Sequence, residues 1–330
     1  IGNPAEYILP DVVCDFTDVT VENIGLDQVI VKGAKGFPPT KTYKISATYI
    51  DGYRVAGTLV IGGENSKRKG EIIAEAILKK CSRLLKKNGL GPFTNTSYDC
   101  IGTDSIYGSK GSYIHSKEVV LRVLATHKNK EALAILSKEM AQATTGMAAG
   151  VINYLGGRPR VSKSIQLFSF LLKKNQISIE LDIAGNKIPV NVNTEGGYAP
   201  TLLSSPILED YRDIKTNYHI TLKNLAYARS GDKGDHANIG VIARKAHYYP
   251  CIDKALTPDI ISKLFSHVLN GPVFKWRVPG INGINFLLKN SLGGGGMASF
   301  NIDPQGKSYA QQLLEYTVPV SKKIYDEFNN

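Results

Sequence analysis

The sequence predicts a mixed α/β and α+β protein: a larger mixed-sheet domain followed by a small α+β sandwich. The chain has 330 residues, 42% of them hydrophobic, enough to bury cores in about two domains. Runs rich in β-branched and aromatic residues alternate with segments of helical period. Residues 204–217 are polar, contain a proline and lack a clear period, so we expect one domain over 1–217 and another over 218–330.

The first predicted elements are a hairpin and a helix. The segment KTYKISATYIDGYRVAGTLVIGG predicts a β-hairpin, because two strand-forming runs meet at Asp51-Gly52, a dipeptide that tolerates positive φ. A helix follows and ends at Gly89. Its apolar stripe comprises Ile72, Ile73, Ala76, Ile77, Cys81, Leu84 and Leu85.

Two helical patterns and three strands complete the first domain. The helical patterns run from Ser116 to Ala143 and break near His127, with Asn129 as the N-cap of the second. The runs SIQLFSFLLKK, QISIELDIA and KIPVNV predict strands, with a turn at Gly185-Asn186.

The second domain interleaves strands with helices, which is typical of an α+β sandwich with helices on one face of the sheet. Its helix before VFKWRV begins with Thr257 as N-cap and Pro258 at the first helical position, and Gly271 ends it. The order from residue 219 is ITLKNLAYA (strand), a charged Gly loop, IGVIAR (strand), helix, VFKWRV (strand), INFLL (apolar), GGGG, ASFNI (strand) and KSYAQQLLEY (helix).

The amino-acid composition restricts the kinds of molecule that the protein is expected to bind and the compartment in which it is expected to lie. The formal charge of +11 favours an anionic ligand, but the excess is diffuse and forms no basic block, so we do not expect nucleic acid binding. The four cysteines are scattered and predict reduced thiols in the cytoplasm, or in the mitochondrial matrix of a eukaryote. No apolar run or signal-peptide pattern predicts a membrane association. Because the chain begins with Ile1, we expect a processed, cut or partial chain.

The stretch ARSGDKGDHANIG, residues 228–240, is the first candidate site. Its glycines can bring backbone N–H groups and cations onto an anion, so the predicted binding residues are Arg229, Ser230 and Lys233. The predicted acid–base residues are Asp232, Asp235 and His236. The two carboxylates require either internal ion pairs or a divalent metal, and no dedicated metal or cofactor site is predicted. The alternative is a solvated turn in which the charges pair with each other.

Two further glycine-rich stretches are candidates. In SLGGGGMAS, ordered glycines such as Gly294 and Gly295 cost about 0.5–1 kcal/mol each relative to alanine, so a ligand or a passing backbone should compensate. The alternative is a flexible linker. In YLGGRPR, Arg158 and Arg160 flank a proline and form either a stiff anion clamp or a surface turn.

Several stretches in order resemble the acyclic terpene utilisation (AtuA-like) family. They are IGNPAEYILPDVVCDFTDV, PPTKTYKISATYIDGYRVAGTLVIGG, INYLGGRPRVS, LAYARSGDKGDHANIGVIAR and GGGGMASFNIDPQGKSYAQ. The resemblance implies a small ferredoxin-like C-terminal domain and a further α/β region ahead of IGNP in other members. It also implies a role in degrading citronellol- and geraniol-type terpenes as coenzyme A thioesters.

The resulting hypothesis is an enzyme, or part of one, that binds an anionic acyl-CoA-type substrate at its Gly-rich loops. Its partners would be that small molecule, a missing N-terminal half or partner chain, and further copies of itself as a homo-oligomer. The alternative is a non-catalytic scaffold or oligomerisation subunit, because open sheets carry edges that seek partners.

Overall fold

The computed structural model describes residues 2–108, 115–200 and 218–329. The chain divides into two compact units. The first unit comprises Ile1–Ala47, Phe168–Leu292 and Gln305–Asn330, and the second unit comprises Thr48–Leu167 and Gly293–Pro304. The polar segment 204–217, where a boundary is expected, lies outside the described residues.

The described residues form strands, helices and short 3-10 turns. The strands are β1 (Tyr7–Ile8), β2 (Val13–Asp15), β3 (Thr20–Gly25), β4 (Gln28–Lys32), β5 (Lys35–Phe37), β6 (Thr42–Gly62), β7 (Asn95–Ile101), β8 (Glu118–His127), β9 (Val151–Tyr154), β10 (Ser162–Lys173), β11 (Glu180–Ile183), β12 (Asn186–Pro189), β13 (Tyr218–Thr221), β14 (Ala226–Lys233), β15 (His236–Ala243), β16 (Val273–Val278), β17 (Gly283–Leu288) and β18 (Thr317–Val320). The helices are α1 (Ser66–Lys87), α2 (Lys130–Glu139), α3 (Ala143–Gly146), α4 (Leu222–Leu225), α5 (Tyr249–Ala255), α6 (Pro258–Leu264), α7 (Gly295–Ala298), α8 (Tyr309–Leu314) and α9 (Lys322–Asp326). The 3-10 turns are Met140–Gln142, Lys174–Gln176, Ala246–Tyr248 and Pro279–Ile281.

The first unit is organised around a four-stranded sheet in the order β14-β15-β17-β16, with antiparallel pairings. Alternate residues of its strands, such as Ile239, Val241 and Phe286, are buried against α5, α6 and α8. This period of two places the apolar residues on one face. The predicted α+β sandwich with helices on one face of a sheet is therefore confirmed.

The N-terminal strands contact the other face of this sheet. Asn285 on β17 donates from Nδ2 to the carbonyl oxygen of Gly2 at 2.8 Å. At Gly280, just before β17, a Cβ atom would lie 2.2 Å from the carbonyl oxygen of Val19. A glycine is needed there because the two backbones approach so closely.

The second unit is organised around the sheet β10-β6-β8-β7, with β9 paired to β6. Helix α1 packs on β7 and β8, and its stripe buries Ile73, Ile77, Cys81 and Leu85 as predicted, whereas Ile72 is half exposed. The hydrophobic residues of α1 and α2 cover one face of this sheet and form its core.

The predicted hairpin at Asp51-Gly52 is wrong, because β6 runs unbroken from Thr42 to Gly62. Gly52 does have a positive φ of 80°. A Cβ atom there would lie 2.8 Å from the carbonyl oxygen of His127, at the end of the neighbouring strand β8. The glycine therefore allows a close approach between strands, and it does not reverse the chain.

The first of the two predicted helices between Ser116 and Ala143 is also wrong, since Glu118–His127 is strand β8. This strand lies between β6 and β7, and nearly every residue after Arg122 is buried. A strand buried on both faces reads as a continuous apolar run, which periodicity alone does not distinguish from a helix. The second helix is confirmed, and the Asn129 side chain caps it by accepting from the Glu131 N–H at 2.9 Å.

Other local predictions are confirmed only in part, because α6 ends at Leu264 and not at Gly271, and the strand predicted at ITLKNLAYA is interrupted by α4. The Thr257 hydroxyl caps α6 as predicted, and β11 pairs with β12 across a two-residue turn at Ala184-Gly185, one residue before the predicted Gly185-Asn186. The strand predicted at ASFNI is absent from the described structure, where α7 ends at Ala298 and no strand follows before α8. The carbonyl oxygens of Met297 and Phe300 accept instead from the side chains of Arg54 and Arg122, so this segment needs no strand partner.

Candidate functional site

The stretch 228–240 is a β-hairpin, and most of the residues expected in a loop lie on paired strands. Strands β14 and β15 are in register from Ala226↔Ala243 to Lys233↔His236. Only Gly234 and Asp235 form the turn, with Gly234 at a φ of 67°. The backbone oxygen of Asp235 accepts from the N–H groups of Ser291 and Leu292 at 3.0 and 3.2 Å, which fixes the tip of the hairpin.

Strand pairing separates the predicted site residues onto two faces. Residues directly opposite each other in an antiparallel pair share a face, and neighbours along a strand alternate. Arg229, Lys233 and His236 therefore lie on the side away from the helices, whereas Ser230 and Asp232 lie on the helix side. We call the side away from the helices the helix-free face; its residues on the three strands β14, β15 and β17 include Arg229, Gly231, Lys233, His236, Asn238, Gly240 and Asn285.

Ser230 is a structural residue of the hairpin. It is 5% exposed, and its hydroxyl donates to the Gly306 carbonyl oxygen at 2.6 Å. The same hydroxyl accepts from the N–H of Ala310 in helix α8 at 2.9 Å. With these contacts Ser230 attaches α8 to β14, so its hydroxyl group is already used in hydrogen bonds within the protein.

Asp232 lies beside a lysine that reaches the helix-free face. The Asp232 carboxylate is 3.8 Å from Lys307 Nζ, and a Cβ atom at Gly231 would lie 3.1 Å from the same nitrogen. Since Gly231 faces away from the helices, the Lys307 ammonium adds to the charges of Arg229 and Lys233. Three cations therefore surround this end of the hairpin.

His236 lies at the tip of the hairpin on the helix-free face. Its Nδ1 accepts the backbone N–H of Asn290 at 3.1 Å. Burial lowers the pKa of His236, and the nearby charge of Lys289 lowers it further. Both effects favour the neutral ring, whose single proton is then on Nε2 because Nδ1 is an acceptor. In this form the ring can donate a hydrogen bond through Nε2.

An apolar cavity of about 300 Å³ adjoins the helix-free face, between β15, β17 and the N-terminal strands. Residues that line this apolar cavity include Pro4, Phe16, Val19, Val31, Gly240 and Ile242. The floor at Gly240 is open, because a Cβ atom there would meet only the Arg229 carbonyl oxygen, at 3.9 Å. Val31 at the rim is 62% exposed, so the cavity communicates with solvent.

A polar connection joins the apolar cavity to the hairpin tip. Asn285 lines the cavity and is paired with Gly240 across the strands. Its Oδ1 accepts from Asn238 Nδ2 at 3.4 Å, and Asn238 is two residues from His236 on the same face. Arg229 lies opposite Gly240. Along one face there are consequently an apolar cavity, an amide pair, and a group of cations with a neutral histidine.

The remaining predicted residues, Gly294, Gly295 and Arg158, belong to the second unit. Gly294 lines a polar cavity of about 350 Å³ in that unit, and Gly295 begins α7. Residues that line this polar cavity include Asn95, Thr126, Ser164, Gln166, Gly294 and Asn301. Arg158 and Arg160 are exposed on a surface turn held by the buried Pro159.

Sequence reasoning missed Asn238, Asn285, Lys307 and the apolar lining of the cavity. One signal was available in HANIGVIA, where polar or small residues alternate with Ala237, Ile239 and Val241. That alternation marks a strand with one buried face. The lining residues from β2 to β5 carry no local signal, because they meet the sheet only in the folded chain.

Within residues 2–108, 115–200 and 218–329, no group of three or more His, Cys, Asp or Glu side chains could hold a metal ion. Over those same ranges no helix has the length and apolar character needed to span a bilayer.

The four-stranded sheet with helices on one face makes this part of the chain an α+β domain, and residues 220–319 match the family described as AtuA ferredoxin-like domain. A second family, described as acyclic terpene utilisation family protein AtuA, matches residues 1–183 of the 330. The chain therefore belongs to the acyclic terpene utilisation family, and membership implies a role in acyclic terpene utilisation. No curated protein and no solved structure matches the chain.

Proposed function

We propose that this protein binds a branched acyl-CoA-type compound of acyclic terpene degradation on the helix-free face of its first unit. The observation that supports the proposal best is the apolar cavity whose open floor, Gly240, is paired directly with Arg229. The branched chain would occupy the cavity, and the anionic part would lie along the cations.

The cavity has the chemistry that a hydrocarbon chain requires. Its walls are valine, isoleucine, alanine, proline, phenylalanine and glycine residues, apart from Asn285. Its size lies near the lower end of the range of roughly 300–1,000 Å³ found for small-molecule sites. At roughly 0.8 kcal/mol for each buried CH₂ group, burying four carbons of a chain would tighten binding by about 200-fold.

The cations can hold the charged part of such a ligand. Arg229, Lys233 and Lys307 lie on or reach one face, and Arg229 and Lys233 are exposed. Guanidinium and ammonium groups bind carboxylate and phosphate through charge-assisted hydrogen bonds. The formal charge of +11 adds a general attraction for anions.

His236 would then act on the carbonyl group of the ligand. Its neutral ring carries the proton on Nε2, so it would donate a hydrogen bond to a thioester oxygen and polarise that carbonyl group. Asp235, in the adjoining turn, raises the pKa of His236 through its charge, although burial and Lys289 outweigh it. In this proposal the protein is the substrate-binding part of an acyl-CoA-directed enzyme, with Asp235 and His236 at the reacting end.

The test is ligand binding measured by calorimetry with geranoyl-CoA and, as a ligand without the chain, acetyl-CoA. Wild-type protein should bind geranoyl-CoA at least about 100-fold more tightly than acetyl-CoA. Gly240→Val would fill the cavity floor, and its Cβ has room there. We expect this variant to lose the preference for geranoyl-CoA and to keep its melting temperature.

A glycine on a strand elsewhere provides the matched control. In Gly62→Val, on β6 of the second unit, the new Cβ would meet Ile152 at 3.8 Å and leave the apolar cavity unchanged. This control should bind geranoyl-CoA like wild type. If Gly240→Val also binds it with wild-type affinity, the proposed location of the chain is wrong.

The second candidate, an oligomerisation subunit, is supported by a different observation. Apolar side chains on the β3–β4 hairpin are exposed, with Ile24 at 53%, Leu26 at 92% and Val29 at 61%. Such surfaces commonly mark contacts between proteins. Light scattering after size exclusion should then give an oligomer for wild type and a monomer for the double variant Leu26→Lys, Val29→Lys. A monomeric wild type would exclude this role.

A further inference from the structure

The polar cavity of the second unit takes no part in the proposed function. Its floor is the face of the sheet that α1 and α2 do not cover, at Asn95 and Thr126, which are opposite each other in register. Its walls come from Ser164 and Gln166 on β10 and from the segment Gly293–Asn301.

Thr126 is the unusual residue of this cavity. Its side chain is 8% exposed, and its hydroxyl makes no hydrogen bond to any residue in the described part of the chain. A buried hydroxyl without a partner costs roughly 1–3 kcal/mol, so proteins usually satisfy each such group. Thr126 lines the cavity, and although its hydroxyl oxygen is almost inaccessible, a small adjustment of the side chain would let a bound molecule supply the missing partner.

The wall opposite the sheet is a fixed structure. Arg54 donates to the Met297 carbonyl oxygen at 2.8 Å, and Arg122 donates to that of Phe300. Gly293, Gly294 and Gly295 all have positive φ, at 63°, 98° and 78°. This conformation suits glycine and lets the backbone border the cavity without side chains. This segment therefore lines a cavity as an ordered wall, and the alternative of a flexible linker does not hold.

The lining indicates an uncharged ligand that carries several hydroxyl groups. It consists mainly of hydroxyl and carboxamide side chains, and among the described residues that line it there is no lysine or arginine. Asp51 is its one carboxylate; its Oδ1 accepts from the Lys128 ammonium, and its Oδ2 can accept from a hydroxyl group of a ligand. Phe300 adds an aromatic ring, against which the flat face of a sugar or base can pack.

We propose that this polar cavity is a second binding site, for a hydroxylated ring of the kind found in nucleosides and sugars. Thr126 and Asn301 would hydrogen-bond the ligand, and Asp51 would accept from its diol. The site is independent of the apolar cavity, because none of its lining residues belongs to the first unit.

Ligand-observed NMR on the full chain tests the proposal with three probes. These are adenosine, methyl α-D-mannopyranoside, and 2′,3′-dideoxyadenosine, which lacks the diol. We expect saturation transfer to adenosine or to the mannoside, and at least tenfold weaker binding of the dideoxy compound than of adenosine if adenosine binds. Binding of adenosine alone would assign a nucleoside site, and binding of the mannoside alone would assign a sugar site.

Variants then locate the binding. Thr126→Val removes only the unpartnered hydroxyl, so it should weaken binding at least tenfold without lowering the melting temperature. Asn301→Ala should weaken binding similarly. Thr58→Val is the control, since Thr58 lies on the same sheet face but donates to the Leu155 carbonyl oxygen outside the cavity. The proposal is overturned if no hydroxylated probe binds, if the dideoxy compound binds as tightly as adenosine, or if both cavity variants bind like wild type.

Discussion

The two cavities are bordered by sheets with a common plan, but different contacts hold the segment that covers each one. In both units helices pack on one sheet face, and a segment without long helices lies on the other. Over the apolar cavity, the N-terminal segment contributes Phe16 and Val19. Over the polar cavity, hydrogen bonds from Arg54 and Arg122 attach the segment that contains Met297 and Phe300. The polarity of each cavity is therefore set by the side chains that the strands place on the sheet face left uncovered by helices.

The largest expected effect distinguishes the two faces of the first sheet. Phe286 is fully buried among the helices, so Phe286→Ala should lower the free energy of unfolding by about 3–5 kcal/mol. Phe274, on the adjacent strand, is 43% exposed, and Phe274→Ala should cost much less. Urea unfolding followed by circular dichroism measures both. Equal losses would show that the helix-covered face is not the main core.

The next largest effect concerns the hydrogen bonds that attach residues 293–304 to the sheet of the second unit. Arg122 donates from Nη2 to Asp99 Oδ2 at 2.7 Å as well as to the Phe300 carbonyl oxygen. Arg122→Gln should cost about 2–3 kcal/mol, because it leaves a mostly buried carboxylate and a carbonyl group without this partner. It should also speed proteolysis within 293–304. The exposed Arg83→Gln is the control, and an equal loss there would contradict the assigned role.

A smaller effect separates two adjacent residues of the hairpin. Ser230→Ala leaves the Ala310 N–H and the Gly306 carbonyl oxygen without their partner, so we expect a loss of about 1–2 kcal/mol in thermal or urea unfolding. Arg229→Ala should leave stability within about 0.5 kcal/mol and weaken geranoyl-CoA binding. A stable Ser230→Ala variant with impaired ligand binding would reverse these assignments.

The smallest effect is the pH dependence contributed by His236. Because its folded pKa is lowered, the unfolded chain binds more protons below about pH 7, so stability falls as pH decreases through the ordinary histidine range. His236→Asn keeps an acceptor for the Asn290 N–H but does not titrate. Melting temperatures at pH 7.5 and 5.5 should therefore differ less in this variant than in wild type. An unchanged difference would contradict the lowered pKa.

Elements with a local cause could be predicted from the sequence, and elements set by distant neighbours could not. Asn129 and Thr257 cap helices through bonds to residues two or three positions away, so their signals are contained in the sequence. The positive φ at Gly52 was also correctly anticipated, but its function depends on His127 in another strand. For β8, burial on both faces removed the alternation that identifies a strand.

The candidate site also combines features that the sequence predicts with features that depend on residues distant in the sequence. The stretch 228–240 stands out by composition, yet only its pairing assigns Arg229 and Ser230 to opposite faces. The apolar cavity joins Phe16 to Gly240, which are far apart in sequence. Thr126 looks like an ordinary strand residue until its missing hydrogen-bond partner is known.

Three of the four successive glycines at 293–296, namely Gly293, Gly294 and Gly295, restrict how this gene can vary. Each adopts a backbone conformation that nearly all other amino acids of natural handedness avoid. Most missense changes at these codons would therefore damage the protein through its geometry, whatever the chemistry of the new side chain. Harmful alleles are expected to cluster there, even though glycine offers no reactive group.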